Sequence, residues 1–121
     1  MFFQKAPYSL ALAIRNRATT IMPMYTVLQL PEFDRWLSDL KDGLTRRRLG
    51  RRLEEVARGL LGDVDPVGEG VFEMREDFGP GWRMYYVQHG QAIILMLGGG
   101  NKSTQDADIK AAKKLAGTLE N

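Results

Sequence analysis

Arg75, Arg83 and Lys102 are three cations within a stretch of mostly apolar and turn-forming residues, and none of them suits a hydrophobic core. Side chains alternate between the two faces of a strand. This alternation puts Glu73 and Arg75 on one face of a predicted strand, and Arg83 and Tyr85 on one face of the next. The apolar residues between them turn to the opposite face, where we expect helices to pack. Cations beside a tyrosine can hold a phosphate and stack a nucleobase, so this face is a candidate phosphate-binding surface.

The elements that position these side chains lie between residues 71 and 105. Three strands are predicted there, joined by turns at Gly79-Pro80-Gly81 and at His89-Gly90, because glycine tolerates positive φ and proline fixes its own φ. His89 is the one histidine of the sequence and is interpreted as a turn residue rather than a general base. The third strand, Ala92–Leu97, is a nearly continuous apolar run, which is typical of a strand covered on both faces. A loop of three glycines then leads into the last helix, which is predicted to end near residue 118.

The segment before these strands predicts one strand and two helices. Tyr25–Leu30 is β-branched and apolar, and Pro31 suits the first turn of a helix. That helix keeps apolar residues at i, i+3, i+4 and i+7 and is expected to stop at Asp42-Gly43. A second helix is predicted from Thr45 to Leu60, and residues 62–68 are predicted to form a loop. The expected class is therefore α+β, with the element order β-α-α-β-β-β-α.

The second predicted helix is unusually rich in arginine. Its arginines lie off the apolar stripe and outnumber the two glutamates nearby. One interpretation is a solvated arginine-rich face, and the other is an electrostatic footprint for RNA or for an acidic partner. The candidate RNA-binding residues are Arg46, Arg47, Arg48, Arg51 and Arg52.

The order of strand, glycine loop, lysine and helix also suggests a Walker A loop. The spacing excludes it, because Asn101 separates Lys102 from the last glycine. A simpler anion site at the start of the last helix stays open, with Ser103 or Thr104 as the cap and Asp106 in the capping-box position. Alternatively, the glycines only allow the helix and the sheet to cross closely.

Length and composition limit the number of domains and the class of protein. The 121 residues predict a single domain, the 44% hydrophobic and 26% charged residues are ordinary for a soluble protein, and no cysteine is present for disulfides or thiol catalysis. Residues 1–23 carry three basic and no acidic side chains, and their apolar run is too short for a secretory signal. We expect them to be a poorly ordered or mis-started N-terminal extension, with the domain at 24–121. The expected localisation is cytoplasmic.

Three blocks carry a resemblance to a known family: Gly-Val-Phe-Glu-Met-Arg, Gly-Pro-Gly-Trp-Arg-Met-Tyr-Tyr and Gly-Gly-Asn-Lys-Ser-Thr-Gln. They resemble the signature blocks of the RelE/ParE toxin superfamily, in particular its HigB-like branch, the phage-associated addiction module killer proteins. The resemblance implies a curved antiparallel sheet packed against two N-terminal helices. It also implies a type II toxin that is neutralised by a helix-turn-helix antitoxin encoded beside it.

In the RNA-cutting branch, the resemblance implies a ribosome-dependent mRNA endonuclease that needs no metal or small-molecule cofactor. Arg75, Arg83 and Lys102 match the basic residues that bind the scissile phosphate and offset its charge. Glu73 is a candidate base and Tyr85 a candidate proton donor, or each simply pairs with an arginine. Two alternatives stay open: a non-catalytic ParE-like toxin that inhibits DNA gyrase, and a decayed phage or plasmid binding module.

Overall fold

The computed structural model describes residues 24–119. The predictions for residues 1–23 lie outside this range. The described chain is an α+β fold of one five-stranded sheet and three α-helices. In chain order, the elements are β1 (Thr26–Gln29), α1 (Pro31–Asp39), α2 (Gly43–Ala57), β2 (Val64–Gly68), β3 (Val71–Glu76), β4 (Trp82–His89), β5 (Ile93–Asn101), a 3₁₀ turn (Lys102–Thr104) and α3 (Gln105–Ala116).

The strands are arranged in the order β1-β5-β4-β3-β2, and the sheet is mixed. Strand β1 runs parallel to β5, whereas the other neighbouring pairs are antiparallel. The prediction of a wholly antiparallel sheet is therefore wrong. The prediction of a loop at residues 62–68 is also wrong, because Val64–Gly68 is an edge strand. In sequence, Pro66 is typical of a loop. A proline and a register shift after it are nevertheless tolerated in a strand at the edge of a sheet.

The two N-terminal helices begin with different signals. Pro31 opens α1, whose one fully buried side chain is Phe33. Asp42 is the N-cap of α2: its carboxylate accepts hydrogen bonds from the Leu44 amide at 3.2 Å and from the Thr45 hydroxyl at 2.9 Å. These hydrogen bonds, the one from Thr45 above all, lower the pKa of Asp42. The second helix thus starts two residues before its predicted position, because the residues interpreted as a stop also start the next helix.

Apolar clusters cover both faces of the sheet. Helices α1 and α2 pack on one face through the larger cluster, which comprises Phe33, Leu49, Leu53, Val56, Met74, Met84, Tyr86, Ile94 and Met96. Helix α3 packs on the other face, where its Ala112 joins a cluster with Val71, Tyr85 and Leu97 of the sheet. The predicted alternation along β3 and β4 is confirmed. The predicted open face is not, because α3 covers part of the face that carries the candidate residues.

The three glycines are the end of β5 rather than a loop. A Cβ on Gly99 would lie 2.5 Å from the indole ring of Trp36 in α1, and a Cβ on Gly100 would overlap the carboxylate of Asp108 in α3. The glycines therefore let two helices cross the strand closely, as one of the two interpretations of this segment predicted. None of the helices in the described range is long and apolar enough to cross a membrane.

Candidate functional site

Strand register brings four candidate residues together on the face beneath α3. Arg75 in β3 lies opposite Arg83 in β4, and the next row along the same face pairs Glu73 with Tyr85. Directly paired residues point to the same side of a sheet, so these four side chains form one polar cluster. The cluster ends at Gly100 in β5, which lies opposite Arg83. The sequence prediction that these residues share a face is confirmed.

Glu73 is the centre of this cluster and is only 1% exposed. Its Oε2 accepts hydrogen bonds from the Gln105 amide at 2.7 Å and from the Tyr85 hydroxyl at 3.2 Å. Two guanidinium groups flank the same carboxylate: Arg75 Nη1 lies 3.7 Å from Oε1, and Arg83 Nε lies 4.0 Å from Oε2. Burying a charge costs free energy unless it is paired, and these four groups provide the pairing.

Arg75 spans from this carboxylate to two aspartates at the edge of the sheet. Its Nη2 lies 3.0 Å from Asp65 and 3.4 Å from Asp63. The hydrogen bond with Asp63 and the charges of both aspartates raise the pKa of Arg75, which stays protonated. Asp63 and Asp65 escaped the sequence prediction because their segment was assigned to a loop. The charge of Arg75 is therefore shared among three carboxylates, and an incoming phosphate must compete with them.

Arg83 is 7% exposed and has fewer hydrogen bonds than Arg75. Its Nη1 donates to the backbone carbonyl of Trp82 at 3.1 Å. Its Nε is buried without a hydrogen-bond partner in the described structure. Glu73 is within ion-pair range of this nitrogen, but 4.0 Å is too long for a hydrogen bond. Arg83 is thus the cation of the cluster whose charge is least satisfied by direct contacts.

Tyr85 is fully buried, and its hydroxyl donates to Glu73. Burial, followed by the charge and the hydrogen bond of Glu73, raises the pKa of Tyr85. The phenol therefore remains protonated near neutral pH. The prediction that Glu73 and Tyr85 line an open surface is wrong: they contact each other beneath α3, where an RNA ribose does not reach them in this conformation.

Lys102 lies next to Arg83 at one end of the sheet. A Cβ placed on Gly81 would lie 3.4 Å from Lys102 Cβ and 3.6 Å from Arg83 Nη1, so the two cationic side chains flank this turn glycine. Gly81 has a φ of +82°, which favours glycine at this turn. The Lys102 side chain is exposed. The exposed Lys102 therefore forms a basic rim beside the largely buried Arg83.

The backbone after β5 is capped differently from the prediction. The side-chain oxygen of Asn101 accepts a hydrogen bond from the backbone N–H of Ser103 at 2.8 Å. In return, the Thr104 hydroxyl accepts one from the backbone N–H of Asn101 at 3.2 Å. This capping box closes the short 3₁₀ turn that carries Lys102. Thr104 is at the N-cap position of α3, as one of the two predicted caps, but its side chain makes no capping hydrogen bond there. The capping box with Asp106 is wrong, because one extra turn precedes α3.

Arg52, one of the predicted RNA-binding residues, is a buried structural residue. Its guanidinium donates to the carbonyls of Leu61 at 2.8 Å, Asp63 at 3.0 Å and Arg75 at 2.9 Å. It also forms an ion pair with Glu76. With 7% of its surface exposed, Arg52 ties α2 to β3 and to the segment before β2. Because its donors are already engaged within the protein, Arg52 has a structural role, and its contact with RNA stays a prediction.

The other arginines of α2 differ in how far they are available to a partner. Arg46 donates to the carbonyl of Leu40, and Arg48 lies 3.7 Å above the ring of Phe78 in a cation–π contact. Four arginines are exposed, and Arg48 is one of them. The other three, Arg47, Arg51 and Arg58, are spaced by four and seven residues, which puts them on one face of the helix or at its end. A basic surface exists here, although it does not include all five predicted residues.

Among residues 24–119, no group of three or more His, Cys, Asp or Glu side chains is arranged to hold a metal ion. No family model matches the sequence. The chain is 42% identical over 87 residues to an uncharacterized protein from Haemophilus influenzae, and this match covers 72% of the chain and 88% of that protein. The chain therefore belongs to the same family as the Haemophilus protein.

Proposed function

We propose that this protein is the toxin of a type II toxin-antitoxin system, in the HigB-like branch of the RelE/ParE superfamily. It acts as an mRNA interferase, a ribosome-dependent endoribonuclease that stops translation by cutting mRNA in the cytoplasm. The observation that carries the proposal is the position of Arg83, which lies opposite Arg75 in the sheet and beside Lys102 across Gly81. The resemblance of the three sequence blocks and the α+β fold support it.

The three cations suit a single phosphodiester. Arginine presents N–H donors to two phosphate oxygens at once, and lysine adds a flexible point charge. When a ribose 2′-OH attacks the adjacent phosphorus, negative charge builds up on the non-bridging oxygens before the bond to the 5′ oxygen breaks. Fixed cations at that position stabilise the transition state more than the ground state. Arg83 supplies the least satisfied charge, and exposed Lys102 reaches the same phosphate from the rim.

In this mechanism Glu73 and Tyr85 act on the arginines rather than on RNA, since both are buried. The proton of the 2′-OH and the proton taken up by the 5′ oxygen are exchanged with groups outside this pair, such as water or ribosomal RNA. The exposed arginines of α2, namely Arg47 and Arg51, would bind ribosomal RNA through its phosphates. An adjacently encoded helix-turn-helix antitoxin would neutralise the protein.

One observation favours a second candidate function. Arg75 is paired with three carboxylates, and the proposed acid and base candidates are buried, so the cluster lacks an exposed proton carrier. Such a site suits a toxin that binds without cutting, as in the ParE branch that inhibits DNA gyrase. A phage or plasmid binding module with decayed activity is the third possibility.

Cleavage of a short mRNA on purified ribosomes tests the proposal. Lys102→Ala removes an exposed cation from the rim, so the fold is retained while the cleavage rate is expected to fall about tenfold or more. Lys110→Ala removes another exposed lysine, from α3, and serves as the matched control, with an unchanged rate. Equal rates for the two variants would remove Lys102 from the site. Intact mRNA together with inhibited gyrase supercoiling would favour the second candidate.

A further inference from the structure

Gln105 is the residue of the polar cluster that sequence patterns gave no reason to select. It is the first residue of α3 and follows directly on the 3₁₀ turn that begins with Lys102. Its amide crosses from the helix to the sheet and donates to Glu73 Oε2 at 2.7 Å, a shorter contact than the 3.2 Å hydrogen bond from Tyr85 to the same oxygen. Gln105 is therefore the closest hydrogen-bond donor to the buried carboxylate.

These two neutral donors decide where the carboxylate points. Both bind Oε2, and they hold it 4.0 Å from Arg83 Nε, just beyond hydrogen-bonding distance. Arg83 Nε is buried and has no hydrogen-bond partner in the described structure. A buried cation and a buried carboxylate attract each other strongly at this range. The hydrogen bonds from Gln105 and Tyr85 and the Arg75 guanidinium 3.7 Å from Oε1 hold Glu73 at this distance, and the contact from Gln105 is the shortest of them.

We infer that Gln105 is a positioning residue that holds Glu73 away from Arg83 and so keeps the Arg83 guanidinium available to an anion. Without this amide, Glu73 rotates toward Arg83 and forms a direct ion pair, which reduces the charge that Arg83 offers to the phosphate in the transition state. The effect on RNA cleavage rests on the proposed function, whereas the effect on the Arg83 N–H group does not.

The experiment compares the full chain with Gln105→Leu, which keeps similar volume and removes the donor. Gln105→Asn is one methylene shorter and is used if the leucine variant does not fold. Gln88→Leu is the matched control, because Gln88 is exposed and donates to the Gly90 carbonyl away from the cluster. The first readout is the Arg83 Nε–H signal in ¹H–¹⁵N NMR spectra, assigned by its loss in Arg83→Lys. The second is the separate measurement of kcat and KM for ribosome-dependent cleavage.

In Gln105→Leu, the Arg83 Nε–H proton is expected to move downfield as it gains a carboxylate partner. The value of kcat is expected to fall about tenfold or more, with KM within about twofold, because Arg83 stabilises charge that develops in the transition state. The Gln88→Leu control is expected to match the parent chain.

An Arg83 signal that stays in place in Gln105→Leu would overturn the inference, whatever happens to cleavage. If Gln105→Leu and Gln88→Leu both lost thermal stability and activity in proportion, the inference would also be overturned, because such a loss would indicate a merely structural effect. A shifted Arg83 signal in a protein whose parent chain cuts no mRNA would support the positioning role and contradict the proposed function.

Discussion

Adjacent arginines in α2 are predicted to respond very differently to the same substitution, with a large loss of stability at Arg52 and almost none at Arg51. Arg52 is 7% exposed and is held by three backbone carbonyls and Glu76, whereas Arg51 is exposed. Methionine at either position preserves most of the aliphatic volume and the helix propensity. The comparison of Arg52→Met with Arg51→Met therefore isolates the polar contacts of the guanidinium.

The expected magnitude follows from those contacts. Arg52→Met leaves the Glu76 carboxylate without its buried partner, and it removes donors from the carbonyls of Leu61, Asp63 and Arg75. Breaking a buried ion pair by removing one partner costs about 3–5 kcal/mol. An exposed substitution such as Arg51→Met changes the free energy of unfolding by about 0.5 kcal/mol or less. For a domain of this size, the Arg52 loss lowers Tm by about 12 °C or more.

Urea unfolding of the full chain, followed by circular dichroism at constant pH, measures both variants. Adding Glu76→Gln to Arg52→Met should cost less than the sum of the two single changes, by roughly 1 kcal/mol or more, because the two residues share one ion pair. Equal unfolding midpoints for Arg51→Met and Arg52→Met would refute the structural role of Arg52. That result would instead favour Arg52 as an RNA-binding residue.

Three further predictions concern the glycine strand, the buried tyrosine and the exposed arginines. Gly99→Ala should destabilise the protein by about 1–3 kcal/mol in urea unfolding, because its Cβ would meet Trp36. Gly98→Ala has open space around its Cβ and should have little effect. Equal losses of stability in the two variants would disprove the crowding at Gly99. Because the folded pKa of Tyr85 is raised, its contribution to stability is intact below about pH 10 and is lost above that pH, by up to about 1.4 kcal/mol per pH unit. Tyr85→Phe should flatten this alkaline decline in pH-dependent unfolding, and an unchanged slope would contradict it. Arg51→Gln should weaken binding to ribosomal RNA and reduce the slope of log K against log salt by about 0.7–0.9, whereas an unaltered slope would exclude a phosphate contact.

Local patterns in the sequence were sufficient to predict most of the elements and the faces of the central strands. The alternation in β3 and β4 has a period of two, so it assigns Glu73, Arg75, Arg83 and Tyr85 to one face without knowledge of the fold. The direction of β1 relative to β5 could not be predicted, because the side-chain pattern within a strand does not encode its neighbour. Strand β2 escaped prediction because Pro66 is equally compatible with a loop and with an edge strand.

The burial of the site could not be predicted from local patterns either. Glu73 and Tyr85 appear on a polar face in sequence, but α3 folds over that face and Gln105 reaches Glu73 across 32 residues of chain. Helical periodicity likewise does not separate Arg52 from Arg51, because the partners of Arg52 come from the segment before β2 and from β3. In both cases, contacts distant in sequence decide which charged side chains are structural and which are exposed.

Mapping of mRNA 5′ ends in cells that express the protein tests the proposed activity most directly. We predict new 5′ ends within translated codons shortly after induction. They should disappear in Arg83→Ala, provided that its unfolding transition is retained, and on co-expression of the adjacently encoded antitoxin. Intact messages in growth-arrested cells, with arrested replication and an SOS response, would contradict the proposal and point to gyrase as the target.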